Sequence, residues 1–217
     1  MTHLQNRPGI LAIWNDCAPG RDADFEHWFQ SEHLAERLGV PGFRRGRRHE
    51  AILGGPRYFV FYETDTPQVL TSAAYLDRVN NPTPLTVEMM SKVFRNMNRT
   101  VCSCVARHGD MRGSYAVTAR FAQPQDHAIL SNLIEDSLRD DGTACGEIWS
   151  AFGATTAISE EEKLRGGDRK IGDCLLVETL RESDARRVAR RMTDRFGESA
   201  DIGIYRLLCD LQSAGEA

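Results

Sequence analysis

The feature that most constrains this chain is an order of predicted strands and helices that occurs twice in its 217 residues. Apolar runs bounded by glycine, proline or aspartate predict the strands, and helical spacing after a capping residue predicts the helices. The first half is expected to have strands at 10–14, 43–52, 57–63 and 100–108, and helices at 22–38, from 66 onward and at 84–97. The second half is expected to have strands at 114–122, 144–155, 173–180 and 201–211, and helices at 124–139 and 183–196. Apart from one extra helical stretch in the first half, both halves follow the order strand, helix, strand, strand, helix, strand.

This order is that of a ferredoxin-like split βαβ unit, whose antiparallel sheet carries both helices on one face. The other face of each sheet must be covered. Two separate halves would expose roughly 12,000 Å², against about 10,000 Å² for a single body. Docking them would bury the difference of about 2,000 Å², which is a full-sized interface. We therefore predict an α+β fold in which two βαββαβ repeats, residues 1–110 and 111–217, pack sheet to sheet as an α+β barrel. Residues 158–169 are expected to form a solvated β-hairpin outside this frame.

Charge and composition exclude several classes of protein. The chain has 27 Lys and Arg against 31 Asp and Glu, which gives a formal charge of -4 and a pI near 5.9. A general nucleic-acid or anionic-membrane binder would need a basic surplus, so we expect neither partner. No apolar run approaches the roughly 20 residues of a membrane span. The N-terminus lacks the apolar segment of a signal peptide, so a cytoplasmic location is expected.

The sequence carries no signature of a metal or cofactor site. Its six cysteines are too scattered for a disulfide framework, and without a CxxC pair no structural zinc site is expected. Glycine-rich nucleotide loops, GxSxG and HExxH are absent from the sequence as well. We therefore expect no bound metal and no cofactor.

A pocket is expected between the two sheets of the barrel. Side chains alternate along a strand, so Tyr58 and Tyr62 share one face of the third strand, and Phe59 and Phe61 share the other. The helix-covered side should prefer phenylalanine, which assigns both tyrosines to the pocket together with Trp14.

Arginines crowd the second strand, where Arg45, Arg47 and His49 lie on one side. So many arginines cannot be buried without partners. Two interpretations remain open: an edge strand with a solvated charged face, or a polar pocket wall that binds anionic groups of a substrate.

The first predicted helix contains two histidines. At 100° per residue, Trp28 and Phe29 lie on one face, His33 borders that face, and His27 is nearly opposite. A helix histidine is usually a surface or packing residue. A role for His33 in catalysis is the alternative.

The pattern Trp28-(x)3-Glu32-His33, followed by VPGFRRGRRHE from Val40 to Glu50, resembles the dimeric α+β barrel superfamily. The resemblance is to the branch that contains ethyl tert-butyl ether degradation proteins and methylmuconolactone methylisomerase. In that branch a helix histidine about eight residues before a Pro-Gly turn is followed by a strand with a second polar group. His33 matches the helix histidine, and His49 lies on the following strand. The stretches PRYFVFYE and LTSAAYLD also fit, so the resemblance covers residues 8–108 and implies one site in the first half.

The resemblance implies a small enzyme that acts without a cofactor on a small aromatic or lactone-type carboxylate. It would be an isomerase, a cyclase or lyase, or monooxygenase-like. His33 or His49 would be the acid or base, Arg47 would hold the carboxylate, and Tyr62 would stabilise an oxyanion. Trp14 and Tyr58 would contact the substrate.

Two other functions remain open: a non-catalytic small-molecule-binding or stress-associated barrel protein, and a dimerisation platform. A sealed apolar barrel centre would favour the platform. Haem-binding relatives with two repeats exist, and His127 is the histidine that could serve there. The outer helix faces also leave a homodimer open.

Overall fold

The computed structural model describes residues 7–153 and 158–213. The strands in this part are β1 (Gly9–Cys17), β2 (Phe43–Leu53), β3 (Tyr58–Thr64), β4 (Phe94–His108), β5 (Tyr115–Phe121), β6 (Thr143–Ala151), β7 (Asp173–Thr179) and β8 (Asp201–Gln212). The helices are α1 (22–38), α2 (Ala73–Asn80), α3 (84–93), α4 (His127–Leu138), α5 (Glu160–Leu164) and α6 (Glu182–Phe196). Short 3-10 turns lie at Pro67–Thr71 and Gly197–Ser199. None of the helices in the described ranges has the length and apolar character needed to cross a bilayer.

The eight strands form one closed barrel in the order β1-β3-β2-β8-β5-β7-β6-β4, and β4 pairs with β1 to close it. All neighbouring strands are antiparallel. The first-half strands are contiguous in the order β4-β1-β3-β2, and the second-half strands follow in the matching order β8-β5-β7-β6. The predicted α+β barrel of ferredoxin-like element order is confirmed.

Three apolar cores follow from this closure. One lies inside the barrel and is built on Trp14, Phe59, Phe61, Trp149 and Tyr205. The other two lie outside it, where α1–α3 cover the first-half sheet and α4 and α6 cover the second. Both faces of every sheet are therefore buried, so residue polarity alone gives little indication of which face points inward.

The structure reverses the predicted faces of β3. Tyr58 and Tyr62 face the helices, whereas Phe59 and Phe61 face the barrel interior. In the barrel interior, Phe59 and Phe61 pack with Trp14, Trp149 and Tyr205. Both tyrosines lie under the first-half helices, and the Tyr58 hydroxyl donates to the Asp22 carboxylate at 3.2 Å.

Strand β2 is not an edge strand, because it pairs with β3 on one side and with β8 on the other. Arg47 and Arg48 are both buried. Arg47 points into the barrel and pairs with the buried Glu178, whereas Arg48 points to the helices and binds Glu26 through two 2.6 Å hydrogen bonds. Neither predicted interpretation of the arginines is correct, since carboxylates from other elements neutralise them.

The predicted hairpin at 158–169 is also wrong. Residues 160–164 form helix α5, capped by Ser159, whose Oγ accepts the Glu162 amide at 3.2 Å. The chain then runs along β4, where the Arg169 amide donates to the Met97 carbonyl at 3.0 Å. We call residues 158–171 the strap. The preceding strand, expected over 144–155, ends at Ala151, and positions 154 and 155 lie outside the described residues.

Glycines recur at matching places in the two halves. Gly42 and Gly142 both have positive φ, 88° and 92°, which a residue with a side chain rarely adopts. Four residues later, a Cβ on Gly46 would meet Leu34 at 2.8 Å, and one on Gly146 would meet Ile134 at 2.4 Å. In both halves a glycine of the second strand therefore lets the first helix approach closely.

Candidate active site

A small cavity lies between the first-half sheet and its helices, on the side away from the barrel centre. Its volume is about 30 Å³. Much of the wall is apolar, formed by Leu11, Ile13, Phe29, Val60, Met90 and Phe94. The polar and charged residues of the lining include His33, Arg37, Tyr62, Arg99, Glu161 and Arg165, together with Asn15 and Tyr75.

His33 reaches this cavity because α1 is not a regular α-helix. It consists of Asp22–Trp28, a π-helical turn Phe29–His33 and Leu34–Leu38 without a break. Residues five apart in an α-helix point about 140° away from each other, but a π turn brings them to the same side. The rings of Trp28 and His33 accordingly stack 4.2 Å apart, inclined by 29°. Such π turns occur often at functional sites.

The His33 imidazole is neutral. It is 6% exposed, and its Nδ1 is buried without a hydrogen-bond partner among the described residues. Burial lowers its pKa well below the usual value, and the charges of Arg37 and Arg165 act in the same direction. An imidazole in this state can accept a proton.

Tyr62 faces His33 across the cavity. Their rings meet edge to face at 6.4 Å, and the Tyr62 Oη is buried with no partner in the described structure. Burial raises the pKa of Tyr62, which outweighs the opposing charge of Arg37. The hydroxyl therefore stays protonated and can donate a hydrogen bond.

Arg37 follows His33 by one helical turn and is 2% exposed. One guanidinium nitrogen, Nη2, pairs with the Glu161 carboxylate, while Nη1 has no partner among the described residues. Burial alone would lower the pKa of Arg37, but the acidic groups around it, Glu161 foremost, together outweigh burial and raise the pKa. Arg37 is thus a fixed cation with one open donor.

The strap closes the cavity from the second half of the chain. Glu161 is buried against Arg37 and lies 3.7 Å from Arg165. Arg165 pairs with Asp168 at 2.7 Å and contacts the Met90 Sδ at 3.2 Å. One wall of a first-half cavity is therefore built by residues more than a hundred positions away in the sequence.

The other predicted site residues do not join this cluster. Tyr58 is on the same face, but its hydroxyl donates to Asp22 at 3.2 Å, and burial raises its pKa to about 12. Trp14, Arg47 and His49 point into the barrel, on the opposite face of the sheet. The structure brings together His33 and Tyr62 of the predicted set.

Contrary to the predicted pocket between the two sheets, aromatic rings of the described residues fill the centre of the barrel. Trp14 stacks on Phe59 at 4.9 Å, and Phe61 packs on Trp149 at 5.1 Å. His49 stacks against Phe59 at 5.2 Å, and burial lowers its pKa to about 3. The barrel centre is filled by these rings because a closed eight-stranded barrel leaves just enough interior for its own side chains.

Sequence reasoning missed Arg37 and Glu161. Arg37 carried a usable signal, because it lies four residues after His33 and therefore on the same helix face. Glu161 carried none, since its pairing with Arg37 spans 124 residues.

The second half does not repeat this polar set. Tyr62 pairs with Gly46 in the first half, and Val177 pairs with Gly146 in the second. The matching positions of helix α4 hold Leu133 and Ser137. The cluster of His33, Arg37 and Tyr62 belongs to the first half.

Comparison with known proteins shows the fold and little more. No protein-family model matches the sequence, and no curated protein matches it significantly. The chain is similar over 98% of its length to 95% of an anthrone oxidase-like protein, with a TM-score of 0.62 and 6% identity. A candidate monooxygenase from Fusobacterium nucleatum gives a TM-score of 0.59 at 8% identity, covering 97% of this chain and 96% of that one. A candidate chlorite dismutase gives 0.53 at 9% identity over 94% and 96%. At these identities the likeness establishes a shared fold.

Proposed function

We propose that this chain is a small-molecule enzyme whose active site is the cavity between α1, α3 and the first-half sheet. It acts without a cofactor on a small aromatic or lactone-type carboxylate, in the manner of the ethyl tert-butyl ether degradation and methylmuconolactone methylisomerase branch. One observation carries the proposal: His33 Nδ1, Arg37 Nη1 and Tyr62 Oη are all buried without partners in the described structure, and their side chains line a single cavity. Buried polar atoms rarely stay unpaired unless they serve a ligand, a water or a reaction.

Arg37 is the anchor for the substrate carboxylate. A guanidinium binds a carboxylate strongly when both are shielded from water. In the closed structure Glu161 occupies part of this position. The substrate would replace one carboxylate with another, which leaves the buried charge of Arg37 neutralised throughout.

The strap must move for a substrate to enter. A cavity of about 30 Å³ has room for a water molecule, whereas benzene occupies engineered cavities of about 150 Å³. Displacement of Glu161 and Arg165 opens the wall that they form. The other residues of the site keep their positions, because they belong to helices and to strands of the barrel.

His33 and Tyr62 carry the proton chemistry. His33 removes a proton from a carbon next to the substrate carbonyl, and Tyr62 donates a hydrogen bond to the oxygen where negative charge develops. Return of the proton from His33 to a second carbon completes an isomerisation with no net change in protons.

Replacing His33 with Gln tests this proposal. Aromatic acids and lactones are first screened for turnover by the wild-type protein. His33→Gln should reduce turnover by about 10²-fold or more because the base is lost. His27→Gln, an exposed histidine on the same helix, is the matched control and should keep full activity. Equal turnover by His33→Gln and wild type would remove His33 from the mechanism.

A non-catalytic binding protein is the second candidate. The strongly lowered pKa of His33 in the closed state favours it, because a weak base is a poor proton acceptor. Tight binding of an aromatic acid without turnover, unchanged in His33→Gln and lost in Arg37→Gln, would support this alternative.

A further inference from the structure

A second, wider cleft lies at one mouth of the barrel. Its volume is about 790 Å³, and it opens to solvent. The turn Gly54–Pro56, Asn98, Arg120 and the strap residues Arg169 and Lys170 form its walls. The cleft lies at the end of the filled barrel interior, since Arg120 separates it from Trp14, whose ring lies 5.2 Å from the guanidinium carbon.

The rim of this cleft is cationic. Arg57, Arg120, Arg169 and Lys170 line it, against two carboxylates, Asp16 and Asp201. Arg57 is paired with Glu50 at 3.0 Å and Lys170 with Glu162 at 3.4 Å.

Two of these cations are weakly compensated. Arg169 forms no ion pair within the described ranges. Arg120 approaches only Asp201, at 3.7 Å, and that carboxylate is 81% exposed. An arriving anion can therefore compete for both arginines.

Buried hydrogen-bond donors lie directly beneath the rim. Trp14 Nε1 and Arg120 Nε are buried without a partner in the described structure. The hydroxyls of Thr118 and Tyr205 are buried beside each other in the same place. The pairing of β5 with β8 brings three of these residues together. Arg120 lies opposite Asp201, and Thr118 lies opposite Gly203. Tyr205 is the next residue of β8 after Gly203 that faces the barrel interior. A Cβ on Gly203 would meet the Tyr205 Oη at 2.7 Å, so the tyrosine hydroxyl points along β8 toward this mouth.

We propose that the barrel mouth binds a small oxyanion, a phosphate or an organic carboxylate, through Arg120 and the donors beneath it. Indole and guanidinium nitrogens only donate hydrogen bonds, and the two hydroxyls can also donate. A group with several acceptor oxygens satisfies such a set, and an arginine fork matches phosphate and carboxylate geometry.

Arg120 is held ready for this role. Its Nη2 donates to the Gly55 carbonyl at 2.7 Å, and its guanidinium plane is supported by the Trp14 ring. Residue Arg120 is 8% exposed, so a charge-assisted bond formed there is shielded from water. This site lies on the opposite face of the sheet from His33 and does not depend on the proposed catalytic cavity.

Titration calorimetry with inorganic phosphate tests the proposal on the full chain. The wild-type protein should bind phosphate saturably, and Arg120→Gln should bind it about tenfold more weakly or worse. Arg139→Gln is the matched control, because Arg139 is exposed at the far end of α4, and it should bind as the wild type does. Quenching or shift of Trp14 emission on binding, absent in Trp14→Phe, places the anion beneath Arg120.

A second variant and a second probe complete the experiment. Arg169→Gln changes only the exposed rim and should also weaken phosphate binding. This variant therefore keeps the test available if Arg120→Gln fails to fold. Benzoate replaces phosphate in a parallel titration: Arg120-dependent benzoate binding identifies a carboxylate site, and Arg120-dependent phosphate binding alone identifies a phosphate site. If neither anion binds saturably, or if both arginine variants bind as the wild type does, the buried donors are satisfied by water and the proposal is wrong.

Discussion

His33 and His49 are both buried histidines, but their surroundings differ. His33 lies between a tryptophan and an unpartnered tyrosine hydroxyl, whereas His49 is stacked between Phe59 and Phe61 at 5.2 and 5.9 Å. His49 therefore behaves as an aromatic packing residue of the barrel core. Both histidines are neutral when the chain is folded.

We expect His49 to make the protein less stable in acid. Burial lowers its pKa to about 3, while an unfolded histidine has a pKa of about 6.5. Between these values the unfolded state takes up a proton that the folded state does not. The free energy of unfolding should therefore fall as the pH drops below 6.5, by up to about 1.4 kcal/mol per pH unit for this residue.

Urea unfolding at pH 7, 6 and 5 measures this effect. His49→Leu should show a shallower dependence on pH than the wild type, with the remaining slope coming from His33 and the carboxylates. His27→Gln should keep the wild-type slope, because His27 is exposed. The same slope in His49→Leu and wild type would show that His49 is already protonated in the fold.

The sequence indicated which residues to consider for a site better than it indicated where their side chains lie in the fold. Helix periodicity and the resemblance single out His33 from the sequence, whereas Tyr62 is expected on the barrel side and lies on the helix side. Their common location was not predictable, since it depends on the π turn Phe29–His33, which has no recognised sequence signal. The inward direction of Phe59 and Phe61 was equally hidden, because both faces of β3 are buried.

At the scale of elements, the strap is the part that most departs from a simple repeat. It belongs to the β6–β7 connection of the second half, yet it packs on α2 and on the π-helical end of α3. The ion pair of Arg37 and Glu161 fastens it to the first half. Gly166 and Gly167, with φ of 80° and 99° and no neighbours around a Cβ, form its turn.

Glu161→Gln should loosen the strap. The substitution leaves the buried Arg37 charge uncompensated, which costs about 3–5 kcal/mol when the pair is broken. Release of the strap avoids much of this cost by exposing Arg37 to water. Amide hydrogen exchange should therefore accelerate in residues 158–170, and benzoate should bind more tightly because no internal carboxylate competes for Arg37.

The control for the strap is Glu160→Gln. Glu160 is exposed and pairs only with Lys163, at 2.6 Å, so exchange and benzoate binding should match the wild type. If Glu161→Gln and Glu160→Gln exchange alike, the Arg37 pair does not hold the strap in place.

The strap was partly predictable. Ser159 followed three residues later by Glu162 is a capping-box pattern, and it does begin helix α5. Three consecutive glutamates suggested solvent instead. What the sequence lacked was any sign that Glu161 has a buried arginine partner in the other half.

At the scale of the whole molecule, the closed barrel joins the two halves by backbone hydrogen bonds. Strand β2 pairs with β8 and β4 with β6, so each sheet of one half continues into the other. The buried pair of Arg47 and Glu178 crosses the same junction inside the barrel. We propose that the boundary between repeats lies at 110/111, between β4 and β5.

This closure should make unfolding a single cooperative transition that does not require a second chain. No half can separate without exposing two strand edges and the apolar barrel centre. The urea midpoint should be the same by tryptophan emission and by circular dichroism, and independent of protein concentration. Sedimentation on dilution should show that a single chain stays folded. A midpoint that rises with concentration would indicate instead that the fold depends on a dimer.

The barrel itself was predictable from the repeated element order and the size scaling together. A ferredoxin-like sheet with helices on one face leaves the other bare, and scaling predicted about 10,000 Å² for one body. The observed accessible surface is 10425 Å². The site was harder to place, because closing the barrel fills its centre and leaves the space under the first helices as the cavity.

During synthesis, β2 and Arg37 are made well before their partners β8 and Glu161. At about 5–20 residues per second, the 124 residues between Arg37 and Glu161 take roughly 6–25 s to synthesise, and β8 follows later still. During that time β2 is an open strand edge on the nascent first half. Charged side chains on such an edge discourage pairing with other chains, so the arginines that the finished barrel neutralises also protect the protein while it is being made.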